Sequence, residues 1–196
     1  MKKRVYFDKF GEMRFISHLD MLRFVERLLK KAQIPAKYSQ GFHPRPRVSF
    51  GNPISLGTEA FNEVMDIELE REMSNEEVKD RLNSSEVIGF YVNKVETIQD
   101  KKSITEIFTN ALYEVSGKAE FIDKLENLLK SENIVEIKEK KGQTVERNLG
   151  ERVIEFSREG DTVTMELVNI SPNSYLALAN VDINDVNIKK IGYKQR

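Results

Sequence analysis

The run Ser17-His18-Leu19-Asp20-Met21-Leu22-Arg23-Phe24-Val25-Glu26-Arg27-Leu28-Leu29-Lys30-Lys31-Ala32 sets the architecture of this chain. Ser17 and Asp20 stand at the spacing of a capping box, where short polar side chains satisfy backbone donors left open at a helix start. Leu22, Val25, Leu29 and Ala32 then recur at helical spacing. Pro35 cannot continue a helix and is expected to stop it. The opposite face carries Arg23, Arg27, Lys30 and Lys31, a cationic stripe along one side.

Shorter apolar runs flank this helix. Val5-Tyr6-Phe7 and Arg14-Phe15-Ile16 read as extended segments around Lys9-Phe10-Gly11-Glu12, a bent strand or tight hairpin. Downstream, Arg47-Val48-Ser49-Phe50 reads as a strand, and Val64-Met65-Asp66-Ile67-Glu68-Leu69 alternates as another. Ser74-Asn75-Glu76-Glu77 opens a second helix with the same capping chemistry, and Gly89-Phe90-Tyr91-Val92-Asn93-Lys94-Val95 closes the unit as a strand. The order β-α-β-β-α-β is that of a ferredoxin-like domain, predicted over residues 1–98. Two helices are expected to cover one sheet face and leave the other for a ligand.

Gln99-Asp100-Lys101-Lys102-Ser103 is a polar boundary, and a second domain is expected over residues 104–196. It combines extended residues 111–115, an amphipathic helix marked by Phe121, Leu125, Leu128 and Leu129, and a strand over 134–138. A hairpin of residues 152–157 and 162–168, a short helix near 175–179 and a last strand near 186–193 complete it. The chain therefore reads as α+β, with a diverged second ferredoxin-like unit following the first.

Composition narrows the chemistry. Of 196 residues, 39% are hydrophobic, enough for a core, and 32% are charged. There is no cysteine, which excludes disulfides, thiolate zinc sites, iron–sulfur ligation and cysteine nucleophiles. No apolar run approaches the roughly 20 residues of a membrane span, and no apolar signal region follows Met1-Lys2-Lys3-Arg4-Val5. These features predict a cytoplasmic protein without membrane attachment. The net charge of −1 conceals an asymmetry: before Thr58 twelve bases face four acids, giving +8, and the remainder carries −9. A basic end and an acidic body point to a polyanionic partner, or to mutual attraction between the halves.

The candidate binding residues cluster in that basic end. Between Tyr38 and Gly51 lie two prolines, two arginines, a histidine and three aromatic residues. Proline fixes its own φ and restricts the residue before it, so His43 and Arg45 occupy pre-shaped backbone. The two histidines, His18 and His43, are the candidate catalytic groups, each alternatively a hydrogen-bonded structural residue. If the loop folds over the helix start, both could meet a phosphate there, with Arg14, Arg45 and Arg47 adding charge-assisted hydrogen bonds. Tyr38 and Phe42 could stack on bases or anchor the loop. With Arg23, Arg27 and Lys30, these residues form the expected anion- or RNA-binding set. No metal site or cofactor is expected: His18 and Asp20 do not share a helix face, no third ligand is evident, and Asp66 and Glu68 read as a solvated strand pair. Walker, dinucleotide and nucleophile-elbow motifs are absent.

The run from Arg14 to Asp20, then Tyr38-Ser39-Gln40-Gly41-Phe42, the Pro44/Pro46 pair and Leu56-Gly57, resembles the radical SAM-linked protein family. Those bacterial proteins are fused to, or encoded beside, radical SAM enzymes. The resemblance is specific over residues 5–69. It implies an accessory protein with a radical SAM enzyme as partner, encoded near RNA-processing and ribosomal genes. The family loop reads Gly-Phe-Asn-Pro-His-Pro; here His43 takes the asparagine place and Arg45 the histidine place, so no catalytic histidine carries over to position 45. Three functions remain open: an RNA- or ribonucleoprotein-binding adaptor, a metal-independent endoribonuclease of the repeat-associated ferredoxin-fold type, and a purely protein-binding subunit. Lacking a cysteine cluster motif, the chain is not itself a radical SAM catalyst.

Overall fold

The computed structural model describes residues 1–99, 102–140 and 143–194, and the chain forms two compact units, Met1–Thr109 and Asn110–Arg196. Both are α+β, built on antiparallel sheets with few helices. Among the described residues no helix is long and apolar enough to cross a membrane.

In the first unit the elements run β1 (Lys2–Lys9), α1 (His18–Lys31), β2 (Val48–Phe50), β3 (Thr58–Glu68), α2 (Asn75–Asn83) and β4 (Phe90–Ile98). The strands pair antiparallel in the order β4-β1-β3-β2. Alternation along β1 turns Val5 and Phe7 to one face, where they meet Met21, Val25, Leu28 and Leu29 of α1 and Val78 and Leu82 of α2. Each such buried side chain contributes about 1.5–3 kcal/mol. Ser17 caps α1: its Oγ accepts the Asp20 N–H at 3.2 Å and donates to the Asp20 carboxylate at 2.7 Å. The carboxylate thus grips the capping hydroxyl, giving half of the expected box. The helix ends at Lys31, ahead of Pro35, because Gln33 turns to φ 53°.

Three expectations change. Residues 14–16 are not a strand; Gly11–Phe15 is a 3-10 turn, entered through Gly11 at φ 59°. Positive φ at Gly89 likewise admits a close approach, since a Cβ there would lie 2.4 Å from the Phe10 carbonyl. Asp66 is not a solvated carboxylate. It is 1% exposed and takes a two-pronged ion pair from Arg4, Nε at 2.8 Å and NH2 at 3.0 Å, with Lys2 at 3.0 Å. The face opposite the helices is also not free around this pair. The Phe108 ring lies 4.9 Å from the Arg4 guanidinium, and α3 (Ile104–Ile107) packs near β2 and β3. That helix belongs to the first unit, C-terminal to the polar stretch 99–103, of which Asp100 and Lys101 lie outside the described residues.

The second unit contains β5 (Asn110–Gly117), α4 (Ala119–Leu129), β6 (Val135–Lys140), β7 (Gln143–Asn148), β8 (Val153–Glu159), β9 (Thr162–Val168), α5 (Asn173–Leu178) and β10 (Val186–Tyr193). Its main sheet runs β10-β5-β9-β8, all antiparallel. The strand expected over 134–138 lies outside that sheet: β6 pairs with β7 as a separate hairpin. Ile122 and Leu125 of α4 and Tyr175 and Leu176 of α5 fill the core, and the Tyr175 hydroxyl donates to the Leu149 carbonyl at 2.8 Å.

Candidate nucleic-acid interface

The loop between α1 and β2 is a narrow ladder. Lys37 N–H donates to the Glu68 carbonyl at 2.8 Å, Arg47 N–H to the Lys37 carbonyl at 2.7 Å, and Ser39 N–H to the Arg45 carbonyl at 2.8 Å. Arg45 N–H returns to Ser39 Oγ at 3.1 Å, and Tyr38 bridges Pro46. These bonds leave Gln40, Gly41, Phe42, His43 and Pro44 as an exposed tip. At that tip the Phe42 side chain is 102% exposed. An aromatic ring held wholly in water on a braced loop has no packing role, and its face is open to a planar partner.

The base of the loop lies against α1, with Arg45 3.8 Å from Glu26. Along α1, Arg23, Arg27 and Lys30 are all exposed, as the helical period requires when Val25, Leu28 and Leu29 face the core. Arg23 is partly neutralised by Asp20 at 3.2 Å, a contact that, after the Ser17 hydroxyl, holds the Asp20 carboxyl below the usual carboxylate range. Arg47 pairs with Glu68 at 3.2 Å. Arg14 is half-buried, its guanidinium 4.7 Å over the Phe15 ring.

His18 and Arg45 line different hollows. His18, the first residue of α1, presents its ring edge-on to Phe50 at 5.9 Å and lines a tight cavity of about 10 Å³ with Lys9, Ser17, Asn52 and Glu63. That volume suits a single water. Arg45 lines a different hollow of about 140 Å³ with Leu22, Glu26, Pro46, Val48 and Phe50, and His43 lines neither. Phe50 forms a wall of both. Gly51, Asn52 and Ile54 line the hollow at the helix start, while Arg45 and Pro46 meet Leu22, Val25 and Glu26 further along α1, so neither of these hollows joins His18, His43 and Arg45 in the expected cradle.

Two cavity residues escaped the motif reading. Lys9 is 1% and Glu63 2% exposed. Burial pulls the Lys9 ammonium below the usual lysine range, and the charge of Glu63 offsets part of that. The signal was present in the alternation of β1, which places Lys9 on the same face as Val5 and Phe7. Among the described residues no three histidine, aspartate or glutamate side chains converge as a metal site.

The family model described as "uncharacterized protein conserved in bacteria (DUF2344)" matches residues 2–178. The chain belongs to this family. No curated protein matches it. The DUF2344 match crosses from the first unit into the second, well beyond the residues 5–69 that carry the motif-level resemblance. Phe42, the loop ladder and the α1 stripe all lie inside the DUF2344 match, as do Lys9 and Glu63.

Proposed function

We propose that this protein is an accessory module that binds single-stranded RNA, free or within a ribonucleoprotein, and presents it to a partner enzyme. The observation that carries the reading is the Phe42 ring, fully exposed at the tip of a hydrogen-bonded loop whose base adjoins the cationic face of α1. Single-strand binders combine aromatic platforms for bases with cations that follow the backbone, and every base has a π-face to stack. Arg23, Arg27 and Lys30 supply the cationic track. The partner is a radical SAM enzyme, a reading supported by the motif resemblance in residues 5–69. Each unit is a ferredoxin-like repeat, supported by the shared strand orders β4-β1-β3-β2 and β10-β5-β9-β8, with β6 and β7 an insertion in the second.

Anisotropy titration of a labelled oligouridine tests the RNA reading. Phe42→Ala is expected to weaken binding by about 1–3 kcal/mol, the worth of one base–aromatic stack, without altering thermal stability. Absence of binding to any RNA refutes the reading, and cleavage of RNA in EDTA replaces it with the ribonuclease one. A complex with the radical SAM enzyme that survives nuclease but never contains RNA favours the purely protein-binding role.

A further inference from the structure

Beside the stacking loop lies a hollow that the stacking and phosphate contacts leave unused. Leu22, Val25, Pro46, Val48 and Phe50 line it with apolar surface, and Glu26 and Arg45 are its two charged members. Its volume is about 140 Å³. A cavity of about 150 Å³ is known to take up benzene, so one six-membered ring fits between these side chains.

We propose that this hollow accepts a guanine base splayed from the single strand, with Glu26 reading its Watson–Crick edge; the inference rests on the RNA-binding reading above. A carboxylate only accepts hydrogen bonds, and two oxygens match two adjacent donors. Guanine is the one RNA base that offers such a pair, N1–H and the N2 amino group. Adenine and cytosine place a ring-nitrogen acceptor next to their amino group. Uracil has one N–H between two carbonyls. Each of these would set a lone pair against a Glu26 oxygen in a half-apolar site, where an unmatched polar atom is costly.

The geometry leaves Glu26 available for that role. Its side chain is 30% exposed, and its partner Arg45 stands at 3.8 Å, beyond hydrogen-bonding distance, with a side chain 68% exposed. Arg45 can therefore swing from Glu26 to the phosphate of the same nucleotide as the base enters. The charge balance is kept: Glu26 exchanges a cation for two N–H donors, and the cation gains an anionic oxygen. Phe42 at the loop tip would then stack the neighbouring base, so one short loop contacts two successive nucleotides.

The test uses the full chain and a short oligouridine carrying one central guanosine, adenosine, cytidine or inosine, with affinities read by anisotropy at fixed salt. The guanosine oligomer is expected to bind about tenfold to a hundredfold more tightly than the others, the range for a bidentate base contact. Inosine, which lacks the N2 amino group, is expected to lose much of that gain. Glu26→Gln presents a donor where an oxygen stood and should abolish the guanosine preference, so that the guanosine, adenosine and cytidine oligomers bind alike. Equal affinity for all four oligomers, or a preference that survives Glu26→Gln, overturns the guanine assignment and leaves RNA binding intact. Binding to none of them overturns RNA binding itself.

Discussion

Replacing Arg23, Arg27 and Lys30 together by alanine should change the salt dependence of RNA binding by a calculable amount. Each phosphate neutralised on a single strand adds about 0.7 to the slope of log K against log salt. Three cations on one exposed face of α1 therefore account for a slope of about 2, less whatever the Asp20 contact already withholds from Arg23. Between about 50 and 200 mM salt the native protein should lose roughly twenty-fold more affinity than the triple variant. Folding should survive, because Met21, Val25, Leu28 and Leu29 on the core face are untouched and alanine is the best helix former. The cost is confined to surface terms such as the dipole benefit of Lys30 in the last turn, about 0.3–1 kcal/mol. Anisotropy titrations at four salt concentrations, with circular dichroism as a folding control, give both slopes. A native protein that binds RNA with a slope differing from the variant's by less than about 1 would refute the phosphate track.

Two further predictions concern the fold that holds this surface. Asp66→Asn removes the carboxylate charge that holds the Arg4 guanidinium, 6% exposed, in a two-pronged pair and should cost about 3–5 kcal/mol in urea unfolding, whereas the double change Arg4→Met with Asp66→Leu should recover most of it. In the second unit, burial pushes the Tyr175 hydroxyl up to about 12 from an ordinary value of 10.0. The unfolded chain then releases that proton first, so stability is full below pH 10 and falls as pH rises towards about 12. Tyr175→Phe should flatten part of that decline at a cost of about 1 kcal/mol at neutral pH. Tyr6, raised to about 12 by burial and then by its hydrogen bond to Glu96, accounts for a share of what remains.

Elements with their own local code were legible in the sequence. The cap at Ser17 and the period of Val25 and Leu29 located α1, Ser74 located α2, and residues around Gly160 marked the β8–β9 hairpin, since each signal lies within a few residues of the structure it dictates. The cationic stripe followed from the same period, because a helix that buries one face must expose the other. Arg14 to Ile16 misled, having the composition of a strand but no edge to pair with, and Gly11 turned the chain first. Ile134 to Lys138 has the alternation of a sheet strand, yet its partner is the neighbouring hairpin strand β7.

The amino-acid sequence by itself determined which residues are cationic, rigid and aromatic, and it concentrated them before residue 58. Only tertiary structure decided which of them meet. Pairing across 62 residues buried Asp66 against Arg4, and the placement of Phe50 put His18 and Arg45 into separate hollows. Local patterns cannot encode such outcomes, because they depend on which strand edges find each other and on the volumes left between them. The same assembly set Glu26 beside Arg45 in the lining of a hollow and left Phe42 in water, the two features on which the functional reading now stands.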